Sequence, residues 1–158
     1  MSGMVGLLIA AGAWAAPPGW EVIQETDGIE VARKNQPDSS LYGFRGSGEL
    51  ALPIGVLVGL LLDHDRAGEW VELLQEHTVV RELEGEDAVV YEVYDMPWPV
   101  QDRDLVMRQT VTVEPESRTF ILHFASVEDE GRPVDSCCVR SHAEQTIWTL
   151  HQLDDART

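Results

Sequence analysis

The chain has 158 residues, of which 44% are hydrophobic and 25% are charged. This composition is typical of one globular domain with a core and excludes a disordered or fibrous chain. Its 28 acidic residues outnumber its 11 basic residues, which gives a formal net charge of -17 at pH 7. Because this acidic balance lacks the positive patch that attracts phosphate backbones, we expect no nucleic-acid partner.

The N-terminal segment, MSGMVGLLIAAGAWAA, differs from the rest of the chain because it has no charged side chain. Its apolar run ends in Ala13-Trp14-Ala15, which has the small-x-small spacing of a signal-peptidase site. The run is shorter than the roughly 20 residues that a membrane-spanning helix needs. We therefore predict an export signal over residues 1–16, cleaved after Ala15 or Ala16, and a periplasmic or secreted protein. An uncleaved anchor and a misassigned start codon are the alternatives.

Strand signals follow from Trp20 onward, and one helical pattern interrupts them. Two runs, DGIEVARK and LYGFRGSGEL, have β-type residues bounded by turn residues and are predicted to pair as a hairpin. The next segment, LPIGVLVGLLLDHDRAGEWVELL, opens with Pro53 at the first helical position and repeats apolar residues at helical spacing. Five more β-like runs follow from His77, separated by short polar turns. This order predicts an α+β fold with an antiparallel meander.

Two opposite charges lie among apolar neighbours in this strand pattern. Counting alternate residues puts Glu92 and Tyr94 on one face of their strand. It puts Arg103 on the same face of the next strand as Leu105 and Met107. Because an isolated buried charge is costly, we predict that Glu92 and Arg103 are partners or polar points inside a solvent-containing cavity. The alternative is that one or both lie near a strand end and reach water.

The segment MPWPVQDRD, residues 96–104, joins these two strands. Its two prolines predict a rigid bend, because each fixes φ and removes a backbone donor. We expect Trp98 to cap the apolar rim at this bend. The next strand then begins, with Asp102 and Asp104 expected to face water while Arg103 points inward.

The motifs of the chain resemble, in their order, the START (steroidogenic acute regulatory-related lipid transfer) family in its bacterial form. The resemblance covers nearly all of residues 20–157, and its most specific element is YEVYDMPWPVQDRD. It depends on Trp20 and on five segments, DGIEV, FRGSGEL, LLLDHDRAGEW, VVYEVYDMPWPVQDRD and VRSHAEQTIWTLHQLDD.

The resemblance implies a helix-grip fold, in which a curved antiparallel sheet wraps around a long C-terminal helix and encloses a tunnel. It implies that residues 17–158 bind and transfer a hydrophobic ligand, a lipid or sterol, without catalysis and without a cofactor, in transient contact with membranes. Glu92 and Arg103 match positions where the family places an acid and an arginine in the tunnel. The ligand-binding residues that we predict are Glu92, Arg103, Tyr94, Trp98, Leu105 and Met107.

Two features depart from the family pattern. The chain ends at Thr158, before the strands and the long helix with which family members continue. We therefore expect a domain that is incomplete at its C-terminus, with an uncovered apolar face and a tendency to self-associate. The adjacent Cys137 and Cys138 are not a family feature, and a bridge between neighbours needs a strained ring. We expect both to be small strand residues.

Motifs of several enzyme classes are absent from the sequence, including the nucleophile elbow, the phosphate loop and the dinucleotide fingerprint. None of the histidines forms an i,i+4 pair on a helix, so we expect surface or strand residues and no metal site; they are His64, His77, His123, His142 and His151. One alternative is a polyketide aromatase/cyclase of the same fold, in which Glu92 and Arg103 orient or protonate the substrate. Another is a protein-interaction module with a filled interior.

Overall fold

The computed structural model describes residues 16–37, 39–134 and 137–158. The chain divides into two compact units, one through Leu50 and one over Ala51–Thr158, and each is described by itself. The predicted export signal lies outside the described residues except for Ala16. Within the described ranges, no helix has both the length and the apolar character needed to cross a membrane.

The first unit contains a three-stranded antiparallel sheet of β1 (Glu21–Thr26), β2 (Ile29–Asn35) and β3 (Tyr42–Ser47). A two-residue turn joins β1 to β2, and it places Asp27 and Gly28 at φ values of 52° and 77°. Asp-Gly suits this turn because both residues tolerate positive φ. The pairing of β2 with β3 confirms the predicted hairpin. β1 is exposed along its whole length, and it therefore has none of the alternation that marks a half-buried strand.

The second unit opens with α1 (Ile54–Leu62) and a separate 3₁₀ helix (His64–Glu69). Pro53 is the N-cap of α1, so the helix begins at Ile54, one residue later than predicted. The helix ends at Leu62, because Asp63 leaves the helical region at φ -82° and ψ 82°. The apolar repeat stops at the same point, and Asp residues favour caps and turns over helix interiors.

The larger sheet follows α1 and the 3₁₀ helix. Its strands are β4 (Leu74–Glu82), β5 (Ala88–Tyr94), β6 (Arg103–Glu114), β7 (Thr119–Ser126), β8 (Val139–Arg140) and β9 (Thr146–His151). Neighbouring strands are antiparallel in the order β4-β5-β6-β7-β9, which confirms the predicted meander. The fifth β-like run divides into two strands, and the shorter of them, β8, pairs parallel with β6.

The centre of this sheet is covered on both faces, which explains why β5 is buried almost throughout. One face gathers Ala88, Val90 and Met107, with partly buried residues such as Phe124 packed against them. The other face gathers a second apolar cluster, made of Val89, Tyr91, Val93 and Val106. The predicted alternation of β5 and β6 is therefore confirmed, and two thin cores lie back to back across the sheet.

The cysteine prediction is wrong. Cys137 and Cys138 lie in the loop that leads to β8, and the structure places a disulfide bond between them. Adjacent side chains of a strand point to opposite faces, whereas a loop lets neighbouring side chains turn towards each other. Cys138 also packs against the second apolar cluster.

Candidate binding cavity

The sheet face that contains Glu92 forms a cavity of about 220 Å³ with α1 and the 3₁₀ helix. Pockets for drug-sized ligands usually measure roughly 300–1,000 Å³. This cavity is smaller, and its volume suits one alkyl chain or one end of a larger ligand. Most of its wall is apolar and comes from several elements: Leu61, Ala67, Trp70, Val71, Leu105, Met107, Leu122, Phe124, Ala143 and Trp148.

A chain of hydrogen bonds crosses the polar part of the wall. Glu92 accepts from both sides, through Oε2 from the Tyr94 hydroxyl at 2.8 Å and through Oε1 from Nδ1 of His77 at 3.0 Å. Nε2 of His77 lies 2.8 Å from Nδ1 of His64, and the planes of the two rings are 11° apart. These four residues, His64, His77, Glu92 and Tyr94, are called the polar chain below.

Strand register brings the polar chain together. His77 on β4 is directly opposite Glu92 on β5, so both side chains point to the same face of the sheet. Tyr94 follows Glu92 by two residues and therefore shares that face. His64 is the first residue of the 3₁₀ helix, which places its ring against His77.

Burial sets the chemistry of the two ends of the polar chain. Burial raises the pKa of Tyr94, and the charge of Glu92 and the hydrogen bond to it act in the same direction. The phenol therefore remains a donor at physiological pH. At the other end, burial lowers the pKa of His64, and the nearby His77 adds to this effect. A neutral His64 ring is thus favoured at neutral pH.

Two tryptophans form the more exposed part of the wall. The rings of Trp70 and Trp148 meet edge to face with centroids 6.0 Å apart. Both residues are more than a third exposed, so a ligand in the cavity would meet these rings near solvent. Aromatic rings offer both apolar area and a negative face for a cation.

The structure places four of the six predicted ligand-binding residues in the cavity wall: Glu92, Tyr94, Leu105 and Met107. The other two, Arg103 and Trp98, are not part of the wall. Ligand binding by any of the six stays a prediction.

The proposed partnership of Glu92 with Arg103 is replaced by another pairing. In the strand register Arg103 is opposite Tyr94, whereas Glu92 is opposite Leu105. Among the described contacts of Glu92, the side-chain partners are His77 and Tyr94 and do not include Arg103. The sequence pattern identified the common face correctly but not the cross-strand neighbour from β4.

Trp98 is 93% exposed, so it does not cap the rim of the cavity as expected. It lies in a tight turn in which the Val100 amide donates to the Pro97 carbonyl at 3.0 Å. The peptide bond between Trp98 and Pro99 is cis. The predicted bend is present, but it directs the indole into solvent.

The expectation that Asp104 faces water is also wrong. Its residue is 3% exposed, and its two carboxylate oxygens accept from Nε and Nη2 of Arg140 at 3.1 and 2.9 Å. Arg140 belongs to β8, which pairs with the start of β6. This bidentate geometry gives each carboxylate oxygen a guanidinium donor, which offsets the cost of burying the side chain. Asp102 is half-buried and accepts a hydrogen bond from the Met96 amide.

Sequence reasoning did not identify the two histidines of the polar chain. His77 was expected to be a strand or surface residue, and it is a strand residue whose side chain is only 7% exposed. His77 is two residues before Val79 on β4, and alternate residues of a strand share a face, so this spacing indicated that His77 points to the same face as Val79. Nothing in the local sequence indicated that His64 would meet it. Within residues 16–37, 39–134 and 137–158, no group of three or more potential ligands could hold a metal ion.

Comparison with known proteins gives a consistent result. A profile of the START domain family matches residues 10–156 of the chain. An uncharacterized protein of Pseudomonas aeruginosa is 29% identical over 104 residues, which are 66% of this chain and 50% of that protein. The phosphatidylcholine transfer protein of Homo sapiens is 30% identical over 101 residues, 63% of this chain and 46% of that protein. The chain thus spans about half the length of the curated relatives it matches.

A solved structure supports the same architecture. The crystal structure of human STARD10 superposes with a TM-score of 0.82 at 20% sequence identity. The match covers 90% of this chain and 58% of the other. At this level of identity the likeness concerns the fold, and it agrees with the mostly antiparallel sheet described above.

Proposed function

Because this chain belongs to the START domain family, we propose that it binds a hydrophobic ligand, a lipid or sterol, in the cavity of its second unit. We propose further that it carries this ligand without changing it chemically. One relative is named for the transfer of phosphatidylcholine, which makes a phospholipid one ligand to test.

The observation that supports this proposal is the uneven distribution of polar groups in the cavity wall. Residues from α1 to β9 supply apolar side chains, while the hydrogen-bonding groups of the polar chain lie together. An amphiphile has the same division, with an apolar body and one polar end. Burial of apolar area contributes about 25 cal/mol per Å², whereas an unmatched polar group costs energy, so this wall favours an amphiphile in one orientation.

The test is to identify what the purified protein contains. We expect native mass spectrometry and organic extraction to find one lipid per chain. A Leu105→Trp variant places a larger side chain in the cavity and should lose most of the lipid. The control, Val113→Trp, changes a residue that is 63% exposed and should keep the lipid. The absence of lipid from the unmodified protein, together with no uptake of added lipid, would contradict the proposal.

We also propose that the protein is exported. The support is the uncharged apolar segment that ends at Ala13-Trp14-Ala15. Mass analysis of the protein expressed with its native start should give a mature chain that begins after Ala15 or Ala16. An intact Met1 on a cytosolic product would contradict this proposal.

A further inference from the structure

The carboxylate of Glu92 is buried, and among the residues that the structure describes no lysine or arginine forms an ion pair with it. Its residue is 9% exposed, and its two described partners are the ring of His77 and the hydroxyl of Tyr94. The opposite face of the sheet solves the same problem with Arg140 beside Asp104. A buried charge without a counter-ion is costly, so the Glu92 end of the cavity favours a positive charge from elsewhere.

The two histidines offer one source of that charge. With both rings neutral, Nδ1–H of His77 donates to Glu92 and Nδ1–H of His64 donates to Nε2 of His77, so both hydrogen bonds are made. Nε2 of His64 is then free of a proton. One added proton there leaves both hydrogen bonds intact, whereas a second would set two N–H groups against each other. The polar chain therefore has two states that differ by one charge and share the same hydrogen bonds.

The histidine pair also borders a second pocket. His64 and His77 line it together with Asp65 and Glu76. This second pocket offers a proton a route to the pair while a ligand occupies the cavity.

The charged groups around His64 come from three parts of the second unit. The carboxylates of Asp65, Asp63 and Glu86 raise its pKa, against the larger lowering by burial and by His77. Arg66, on the same 3₁₀ helix, is paired with Glu69. The helix α1, IGVLVGLLL, contributes no charged side chain. The surroundings are therefore acidic, in keeping with the net charge of -17.

We infer that the Glu92 end of the cavity takes a ligand with a cationic, ammonium-type head, and that a proton on the His64–His77 pair competes with this head. The inference rests on the proposed function. The head would donate to the free lone pairs of Glu92 and lie near the rings of Trp70 and Trp148, whose faces attract cations. Acid therefore releases the ligand, because protonation neutralises the charge that holds it.

Two single-chain amphiphiles that differ in their head group test the inference. Calorimetric titrations with decylammonium and decanol would be run between about pH 4.5 and pH 7, because the pKa of His64 lies below its ordinary value near 6.5, in buffers of different ionisation heat. We expect the affinity for decylammonium to fall by up to about tenfold per pH unit as the pair protonates, with up to about one proton released per cation bound. We expect the affinity for decanol to be independent of pH.

Variants locate the proton. A His64→Gln protein should lose the pH dependence of decylammonium binding, whereas His142→Gln, at an exposed histidine outside the cavity wall, should keep it. If His64→Gln fails to fold, the proton count on the unmodified protein still decides the question.

The outcomes separate the two proposals. Binding of both amphiphiles without pH dependence would overturn the competition and leave the proposed function standing. A pH dependence that is equal in the His64→Gln and His142→Gln proteins would also overturn it. If decylammonium does not bind, the inference is overturned, and the proposed function fails with it only if decanol and added lipid also fail to bind.

Discussion

The two faces of the larger sheet each bury a carboxylate, and they stabilise it by different means. On the closed face, both carboxylate oxygens of Asp104 accept hydrogen bonds from Arg140, and the residue is almost fully buried. On the cavity face, Glu92 accepts from a histidine and a tyrosine and borders an open volume. The first arrangement is complete within the protein, whereas the second leaves charge and space for another molecule.

The difference follows from what covers each face. β8 lies beside the start of β6 and supplies Arg140, and Cys138, just before β8, packs on the apolar cluster of the closed face. The cavity face is covered by α1 and the 3₁₀ helix, which leave about 220 Å³ unfilled. Closed packing stabilises the sheet, and incomplete packing provides a binding site.

The largest expected effect is the loss of the closed ion pair. An Arg140→Met change strands the Asp104 carboxylate, and breaking a buried pair in this way costs about 3 kcal/mol or more. Urea unfolding of the variant should show this decrease in the free energy of unfolding. Adding Asp104→Leu should restore part of it, because no buried charge then remains. Equal losses in the single and the double variant would contradict this assignment.

Substitutions at two adjacent residues of β6, Leu105 and Val106, allow the packing of the two faces to be compared. Val106, 1% exposed, lies in the closed cluster, and its change to alanine should cost about 2 kcal/mol in the free energy of unfolding. Leu105 borders the cavity, where part of its side chain is already unpacked, so Leu105→Ala should cost about 1 kcal/mol. The measurement is denaturant unfolding of both variants without ligand. A larger loss for Leu105→Ala would indicate that the cavity is closed in solution.

A change at Glu92 should cost less than the change at Arg140. Glu92→Gln keeps an acceptor for Nδ1 of His77. It removes a charge that pairs with no lysine or arginine in the described part of the chain, so we expect a loss of about 1 kcal/mol in the free energy of unfolding. Thermal or urea unfolding would measure it. A loss as large as that of Arg140→Met would show that Glu92 is part of a full ion pair, which would contradict the comparison between the faces.

The smallest expected effect is a dependence of stability on pH from His64. Its pKa is lower in the folded protein than its ordinary value near 6.5, chiefly because of burial. As the pH falls below about 6.5, the unfolded chain binds the proton first, so stability decreases until the folded protein is protonated as well. Unfolding curves at several pH values should show this decrease and its loss in His64→Gln. The exposed His142→Gln serves as the control.

Strand alternation was enough to predict much of the fold. The pattern of β5 and β6 placed Glu92 and Tyr94 on one face with Leu105 and Met107, because the side-chain period of a strand is two whatever its neighbours are. The turn between β2 and β3 and the polar turns of the meander were predicted for a similar reason, since they depend on local residues. The motifs in their order indicated the family that the profile match shows.

What the tertiary structure decided was which side chains meet across those faces. Glu92 contacts His77 because β4 pairs with β5 in one particular register. The ring of His77 in turn contacts His64, because the 3₁₀ helix lies beside β4. Asp104 is buried because the two residues of β8 bring Arg140 alongside, 36 positions away in the chain. Local sequence specifies the direction of a side chain along its own strand. Its partner is set by long-range packing, which no short pattern encodes.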